Sequence, residues 1–130
     1  MKHRRVVAML AVLALALIPT PVARAQKGGA CGLGTLIPMG FETITVSNTA
    51  IGFTTATIVT STTSASYAYG YVATDAVRYR DDGVNPTAAV GIPVAVSTYF
   101  EVCGAAAVRA FRMIRQTTDA SVSVAYYRGE

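Results

Sequence analysis

The stretch from Val77 to Gly91, VRYRDDGVNPTAAVG, constrains the fold more than any other part of the chain. Polarity alternates as far as Arg80, as on a half-buried β-strand, and Asp81-Asp82-Gly83 then interrupts the pattern. A helix is disfavoured here because Pro86 holds the residue before it in extended geometry. A second strand is expected from about Val90. The stretch therefore predicts a hairpin-type corner between the two longest apolar strands, and an all-β fold.

Alternating or β-branched stretches recur along the chain and are separated by turn residues. Residues 108–116 fit either a strand or a short helix, and we favour a strand with Phe111 and Met113 facing inward. A small-residue turn, or one helical turn, is expected over 104–107, and a bend at Gly70 or Asp75. The remaining strands are predicted over 41–48, 50–60, 67–80, 92–102 and 121–128. Six or seven short strands predict an antiparallel β-sandwich, immunoglobulin-like or jelly-roll-like.

The first 25 residues have the pattern of a cleaved secretory signal peptide. Basic residues at 2–5 precede an apolar run over 6–18, and Ala23-Arg24-Ala25 offers small residues at a cleavage site. The run is shorter than the roughly 20 residues of a membrane span, although a retained N-terminal anchor is the alternative. We expect a secreted, periplasmic or cell-surface protein with no membrane span after cleavage. Its parts would be a glycine-rich arm over 26–40 and one β-sandwich domain over 41–130.

Removal of this leader changes the charge of the protein. The whole chain carries 11 Lys and Arg against 7 Asp and Glu. The leader contains four of those cations, Lys2, Arg4, Arg5 and Arg24. The remaining 11 − 4 = 7 cations equal the seven acids, all of which lie after residue 25. Net charge therefore gives no argument for a nucleic-acid partner.

Both cysteines, Cys31 and Cys103, lie in the part expected to be exported. An even pair in an oxidising compartment is most simply a disulfide bond. Closing a loop of about seventy residues would stabilise the fold by roughly 4 kcal/mol in the chain-entropy model. Two free, buried thiols are the alternative.

The sequence offers little catalytic or metal-binding chemistry, so we predict a protein that is not an enzyme and has no cofactor. Its one histidine, His3, lies in the leader. A serine or cysteine nucleophile would therefore lack its usual base, and zinc its usual ligand. Asp81 and Asp82 are adjacent, so they cannot flank a scissile bond from opposite sides. Their oxygens, with that of Asn85, could attract calcium, but acids and glycine are also what a tight corner requires.

Aromatic and cationic residues are the candidates for binding. Tyr67, Tyr69 and Tyr71 project from one face of a straight strand, where they could stack on sugar rings or bases, cover the core or line a subunit contact. Arg78 and Arg80 follow on the same predicted strand. Together with Arg109, Arg112 and Arg115, they could form ordinary surface or an interface, where Arg and aromatic residues are enriched.

Four segments resemble a group of small β-sandwich proteins encoded among the virion structural genes of tailed phages and prophages. They are ITVSNTAIGFT (44–54), VRYRDDGVNPTAAVG (77–91), AFRMIR (110–115) and VSVAYYR (122–128). The corner YRDDGVNPT is also similar to one found in immunoglobulin-like modules of secreted glycoside hydrolases. Neither group implies a catalytic residue. The leader and the cysteine pair depart from the phage pattern, which fits a phage-like module recruited for export.

The sequence as a whole predicts a non-enzymatic, secreted structural or interaction protein, a subunit of a particle or cell-surface assembly. Protein partners or self-association would act through exposed strand edges and the Tyr and Arg faces. A carbohydrate-binding module that uses Tyr67, Tyr69 and Tyr71 is the alternative.

Overall fold

The computed structural model describes residues 30–130, so the predicted signal peptide and the first residues of the arm lie outside the described part. The described chain begins with a 3₁₀ turn at Ala30–Gly32. Two short helices follow, α1 (Thr55–Ile58) and α2 (Ala105–Ala110). The seven strands are β1 (Leu36–Val46), β2 (Tyr67–Val72), β3 (Val77–Arg80), β4 (Ile92–Val94), β5 (Tyr99–Cys103), β6 (Arg112–Arg115) and β7 (Ala120–Gly129).

The strands form two antiparallel sheets, which confirms the predicted all-β, sandwich-like fold. One sheet has four strands in the order β1-β7-β2-β5, and the other has three in the order β4-β3-β6. The chain leaving β1 extends the smaller sheet, because Ile51 exchanges two backbone hydrogen bonds with Met113 and Ser47 accepts one from Arg115. No helix within residues 30–130 has the length and apolar character needed to cross a membrane.

The core lies between the sheets and is built from alternate residues of their strands. In β7, Val122, Val124 and Tyr126 are buried, as the alternation of the sequence predicts. A group of aromatic rings joins the two sheets through Phe111, which stacks on Phe53 with ring centroids 4.1 Å apart and on Phe100 at 5.6 Å. The inward positions of Phe111 and Met113, both fully buried, were also predicted correctly.

The disulfide bond between Cys31 and Cys103 is present, with the two Cα atoms 5.5 Å apart. Cys103 ends β5 at one edge of the four-stranded sheet, whereas Leu36 begins β1 at the opposite edge. Residues 31–35 connect these two edges past the ends of β2 and β7, and Leu33 lies close to Gly129 of β7. We call this segment, which begins in the 3₁₀ turn, the strap.

The corner over residues 77–91 forms as predicted, since β3 pairs with β4 and Val77 lies opposite Val94. The expectation that it joins the two longest strands is wrong, because β3 has four residues and β4 three, against 11 in β1 and 10 in β7. The bend predicted at Asp75 separates β2 from β3, which belong to different sheets.

The predicted strand over 92–102 is wrong in its middle. The chain passes between sheets at residues 95–98, where Ser97 has φ 59° and donates to the Val72 carbonyl. The buried positions have the same parity before and after the crossing, since Val94 and Val102 both lie in the core. Ile92 and Val96 share this parity but are 50% and 46% exposed.

Three further boundaries differ from the sequence prediction. Residues 50–60 form a loop and α1 instead of a strand, because packing of Phe53 and Ile58 into the core outweighs β propensity. The strand predicted over 108–116 is α2 followed by β6. The arm ends earlier than expected, since β1 begins at Leu36. Gly40 lies within this strand and leaves room for Thr57, because a Cβ atom at position 40 would come within 2.9 Å of the Thr57 methyl group.

Candidate functional site

The tyrosines of β2 point away from the core because the inward positions of this strand hold small residues. Ala68 and Gly70 face inward, and the ring of Phe100 occupies the space next to Gly70. A Cβ atom on Gly70 would lie 2.2 Å from Cζ of that ring. Large side chains are therefore displaced to the other side of the strand, where Tyr69 and Tyr71 reach the outer surface of the four-stranded sheet.

Neighbouring strands extend this surface. Tyr99 on β5 lies directly opposite Tyr71, with ring centroids 4.8 Å apart, and stacks on Tyr69 at 5.1 Å. On the other side of β7, Phe41 of β1 lies in the same row as Tyr69, with Ala125 between them. Phe41 is 64% exposed and Tyr99 59%. We call Phe41, Tyr69, Tyr71 and Tyr99 the aromatic face.

Small side chains lie along β7 within the aromatic face. They belong to Ser123 and Ala125, which lie in register with Tyr71 and Tyr69 on one side and with β1 on the other. The Ser123 hydroxyl is 3.4 Å from the Thr43 hydroxyl across the strand pair. The aromatic face is thus divided into a tyrosine cluster and a separate phenylalanine, with small residues between them.

Tyr67 differs from the other two members of the predicted tyrosine row. It is 4% exposed, lies opposite Cys103 and Tyr127, and belongs to the end of the sheet that the strap crosses. Burial and a hydrogen bond with the Glu101 carboxylate raise the pKa of Tyr67 to about 12. Burial also raises the pKa of Tyr69. Only two of the three tyrosines named from the sequence therefore contribute to the exposed surface.

The predicted site arginines, Arg78 and Arg80, lie on β3 in the other sheet and do not join the tyrosines. Arg78 donates to the backbone carbonyls of Ala88 and Gly91, each at 2.9 Å. Arg80 forms an ion pair with Asp82. Both side chains hold the corner in place.

The acidic part of the corner has its own internal partners. Asp82 accepts hydrogen bonds from Arg80 and from the Val84 backbone N–H at 3.1 Å. The hydrogen bond from Arg80 lowers the pKa of Asp82 to about 2. Gly83 has φ +84°, a conformation that favours glycine. These contacts account for the sequence of the corner as a turn.

A second acidic cluster joins Glu101 to the two cysteines, whose candidate ligand atoms lie within 4.8 Å of one another. The sulfur atoms of Cys31 and Cys103 are bonded to each other. Metal ions bind thiolates, so this group is not a metal site while the disulfide bond is intact.

Sequence reasoning missed Phe41 and Tyr99 as surface residues. Phe41 begins the strand predicted over 41–48 and has the same parity as the outward-facing Thr43 and Thr45, and this parity is a usable signal. Tyr99 alternates with the buried Phe100, but its partners on β2 depend on strand order. The aromatic face has to be interpreted from its own geometry, because no protein-family model matches the chain and no curated protein or solved structure matches it either.

Proposed function

We propose that this protein is a non-enzymatic, exported interaction protein, a structural subunit of a particle or cell-surface assembly, and that the aromatic face contacts a protein partner. The observation that supports this proposal is the outward placement of Phe41, Tyr69, Tyr71 and Tyr99 on one sheet face. It is also the role implied by the resemblance to virion-associated β-sandwich proteins.

Exposed aromatic clusters are uncommon on isolated proteins, because burying such rings is favourable. Tyrosine and phenylalanine are enriched in the centres of protein interfaces, where they supply contact area at a low cost in side-chain entropy. Phe41 and Tyr99, each more than half exposed, would lose the most solvent-accessible area when a partner binds.

The orientation of the tyrosine rings favours a protein partner over a sugar. The planes of Tyr69 and Tyr99 are 17° apart, so each ring covers one face of the other. Sugars stack on the faces of aromatic rings, and fewer ring faces are free because Tyr69 and Tyr99 stack on each other. Ring edges and hydroxyl groups remain for contacts with protein.

The disulfide bond supports the placement of this protein in an oxidising compartment. Disulfide bonds persist in oxidising environments and are rare in the cytosol. The pattern of the first 25 residues and the Cys31–Cys103 bond together favour export, and the assembly that we propose would therefore lie at a cell or particle surface.

The test uses the full chain expressed with export, in which processing is measured by mass spectrometry. Size-exclusion chromatography with light scattering would measure self-association, and fractionation would measure association with cell-envelope or particle material. We expect association that weakens about tenfold in a variant combining Phe41→Ser with Tyr99→Ser. Val84→Ser is the matched control, because Val84 is 53% exposed but lies at the corner of the other sheet.

A strict monomer at high concentration that is also absent from envelope and particle fractions would contradict the proposal. Equal weakening by Val84→Ser would assign the association to general surface hydrophobicity instead of the aromatic face.

A carbohydrate-binding module is the second candidate, and the row of small side chains along β7 is the observation that favours it. An extended glycan could lie on Ser123 and Ala125 between Phe41 and the tyrosines, with Tyr71 contributing an edge. A glycan array would detect such binding. If a Tyr69→Ala, Tyr71→Ala, Tyr99→Ala triple variant bound the same glycans equally well, this site assignment would be wrong.

A further inference from the structure

A cleft lies apart from the aromatic face, between the loop that contains α1 and the junction of α2 with β6. Its volume is about 510 Å³, which is within the range of small-molecule sites. The walls combine apolar side chains, two threonines and two arginines. The residues that the argument uses are Ile51, Val59, Thr54, Thr55, Arg109 and Arg112.

The two arginines have no carboxylate partner within residues 30–130. Arg109 donates to the Ser64 hydroxyl at 2.8 Å, and Arg112 donates to the Phe111 carbonyl at 2.7 Å. All of these acceptors are uncharged, and no carboxylate oxygen of the described residues lies within 4.0 Å of either guanidinium group. Arg80 and Arg115, in contrast, each pair with an aspartate. The cleft therefore has two positive charges that no ion pair neutralises.

Glu42 has a carboxylate that is bound to the wall of the cleft, and its hydrogen-bond partners are not the two arginines. Glu42 accepts from the Thr54 backbone N–H at 2.9 Å and from the Tyr126 hydroxyl. This carboxylate holds the loop that forms one wall of the cleft. A guanidinium group has five N–H donors, so most donors on Arg109 and Arg112 remain available to a ligand.

Gly52 makes room for one of these cations. A Cβ atom at this position would lie 2.5 Å from Nη1 of Arg112 and 2.9 Å from the Phe111 carbonyl oxygen. The backbone of Gly52 does not have a positive φ, so glycine is needed here for the close approach of Arg112. Contact with this backbone and the bond to Phe111 fix the guanidinium group at the wall of the cleft.

We propose that this cleft binds a small ligand with an anionic head group, either a carboxylate, a sulfate or a phosphate, and an apolar body. Arg112 and Arg109 bind the head group through charge-assisted hydrogen bonds. Thr54 and Thr55 provide hydroxyl groups beside it, and Ile51 and Val59 contact the apolar body. This site is independent of the aromatic face and of the function proposed for that face.

NMR titration of the full chain, expressed with export and isotope-labelled, tests the proposal. The probes are sodium acetate, hexanoate, hexyl sulfate and hexyl phosphate, which separate the contributions of the head group and the alkyl chain. We expect saturable shifts at the amides of residues 51–55 and 109–112, with Kd about 1–10 mM for the preferred hexyl compound. Hexanoate should bind several-fold more tightly than acetate because it covers Ile51 and Val59.

Two variants assign the binding to the arginines. Arg112→Gln and Arg109→Gln should each weaken binding about tenfold, whereas Arg128→Gln, which removes the same charge from β7, should leave Kd unchanged. Arg109 is exposed on α2, so its replacement leaves the fold intact even if that of Arg112 does not.

The proposal is overturned if the wild-type protein shows no saturable shift with any probe, or shifts that map outside the cleft. It is equally overturned if Arg128→Gln weakens binding as much as Arg109→Gln does. A preference among hexanoate, hexyl sulfate and hexyl phosphate identifies the head group. Equal binding of all three supports a site that recognises the negative charge without distinguishing the head groups.

Discussion

Replacing Gly70 by alanine tests the packing that turns the tyrosines of β2 outward. The new Cβ atom would lie 2.2 Å from Cζ, 2.3 Å from Cε1 and 2.8 Å from Cε2 of the Phe100 ring. That ring has little room to move, because Tyr79 and Phe111 stack on it with centroids 5.5 and 5.6 Å away. Phe100 or the backbone of β2 must therefore shift.

Overpacking of this kind costs about 1–3 kcal/mol, and the clash involves three ring atoms, which places it near the upper end. Alanine also restricts the unfolded chain and returns roughly 0.4–1 kcal/mol. We expect a net loss of about 2 kcal/mol in the free energy of unfolding. For a domain of this size that corresponds to a decrease in Tm of roughly 8–16 °C.

Thermal and urea unfolding of the oxidised protein would measure the effect. Gly34→Ala is the matched control, because nothing lies within 4 Å of a Cβ atom at Gly34, and we expect no loss of stability but a gain of up to about 1 kcal/mol from the restricted unfolded chain. In a double variant with Phe100→Leu the clash is relieved, so the two changes should be coupled by at least about 1 kcal/mol. An unchanged Tm for Gly70→Ala, or strict additivity with Phe100→Leu, would refute this account of the packing.

Three further predictions concern the side chains of Tyr126, Asp82 and Tyr67. Tyr126→Phe removes the hydroxyl that donates to the half-buried Glu42 carboxylate and should destabilise the protein by about 2 kcal/mol in urea unfolding; a change below about 0.5 kcal/mol would contradict that role. Arg80 lowers the pKa of Asp82 to about 2. The contribution of this ion pair to stability is therefore complete above about pH 4 and is lost as the pH falls towards 2. Asp82→Asn should flatten this part of the curve of stability against pH, and an unchanged curve would count against the pairing. The pKa of Tyr67 is raised to about 12, so the contribution of its neutral hydroxyl to stability is complete below about pH 10 and is lost as the pH rises towards 12. Absorbance titration at 295 nm should show an ionisation step near pH 12 that Tyr67→Phe removes. A step that persists in this variant would belong to another tyrosine.

The sequence predicted those features that depend on local periodicity. Alternation in β7 placed Val122, Val124 and Tyr126 in the core, and the turn chemistry of Asp82 and Gly83 placed the corner. Both signals arise within a few residues of one another, so no knowledge of strand order was needed. The disulfide bond followed from the cysteine count and the expected compartment.

Features that depend on passage between the sheets were missed. The alternation over 92–102 is nearly continuous, yet the chain crosses at Ser97 because Val72 on a distant strand provides both the donor and the acceptor at that point. Tyr69 and Tyr99 become neighbours only because β5 pairs with β2. Sequence periodicity contains no information about which strands pair, so neither the crossing nor the full aromatic face could be predicted from it.

The arrangement of β2 keeps its largest side chains out of the core between the sheets. Its inward positions are occupied by Ala68, Gly70 and Val72, while three tyrosines face the other way. A strand that served only the core would place its larger apolar side chains inward, where burial of each is worth about 1.5–3 kcal/mol. Here Phe100 fills the space from the next strand, and the larger side chains of β2 occupy the outer surface. Tyr67 is buried at the end of the row that the strap crosses, whereas Tyr69 and Tyr71 are only partly buried, and this is the part of the row that the partner proposed above would contact.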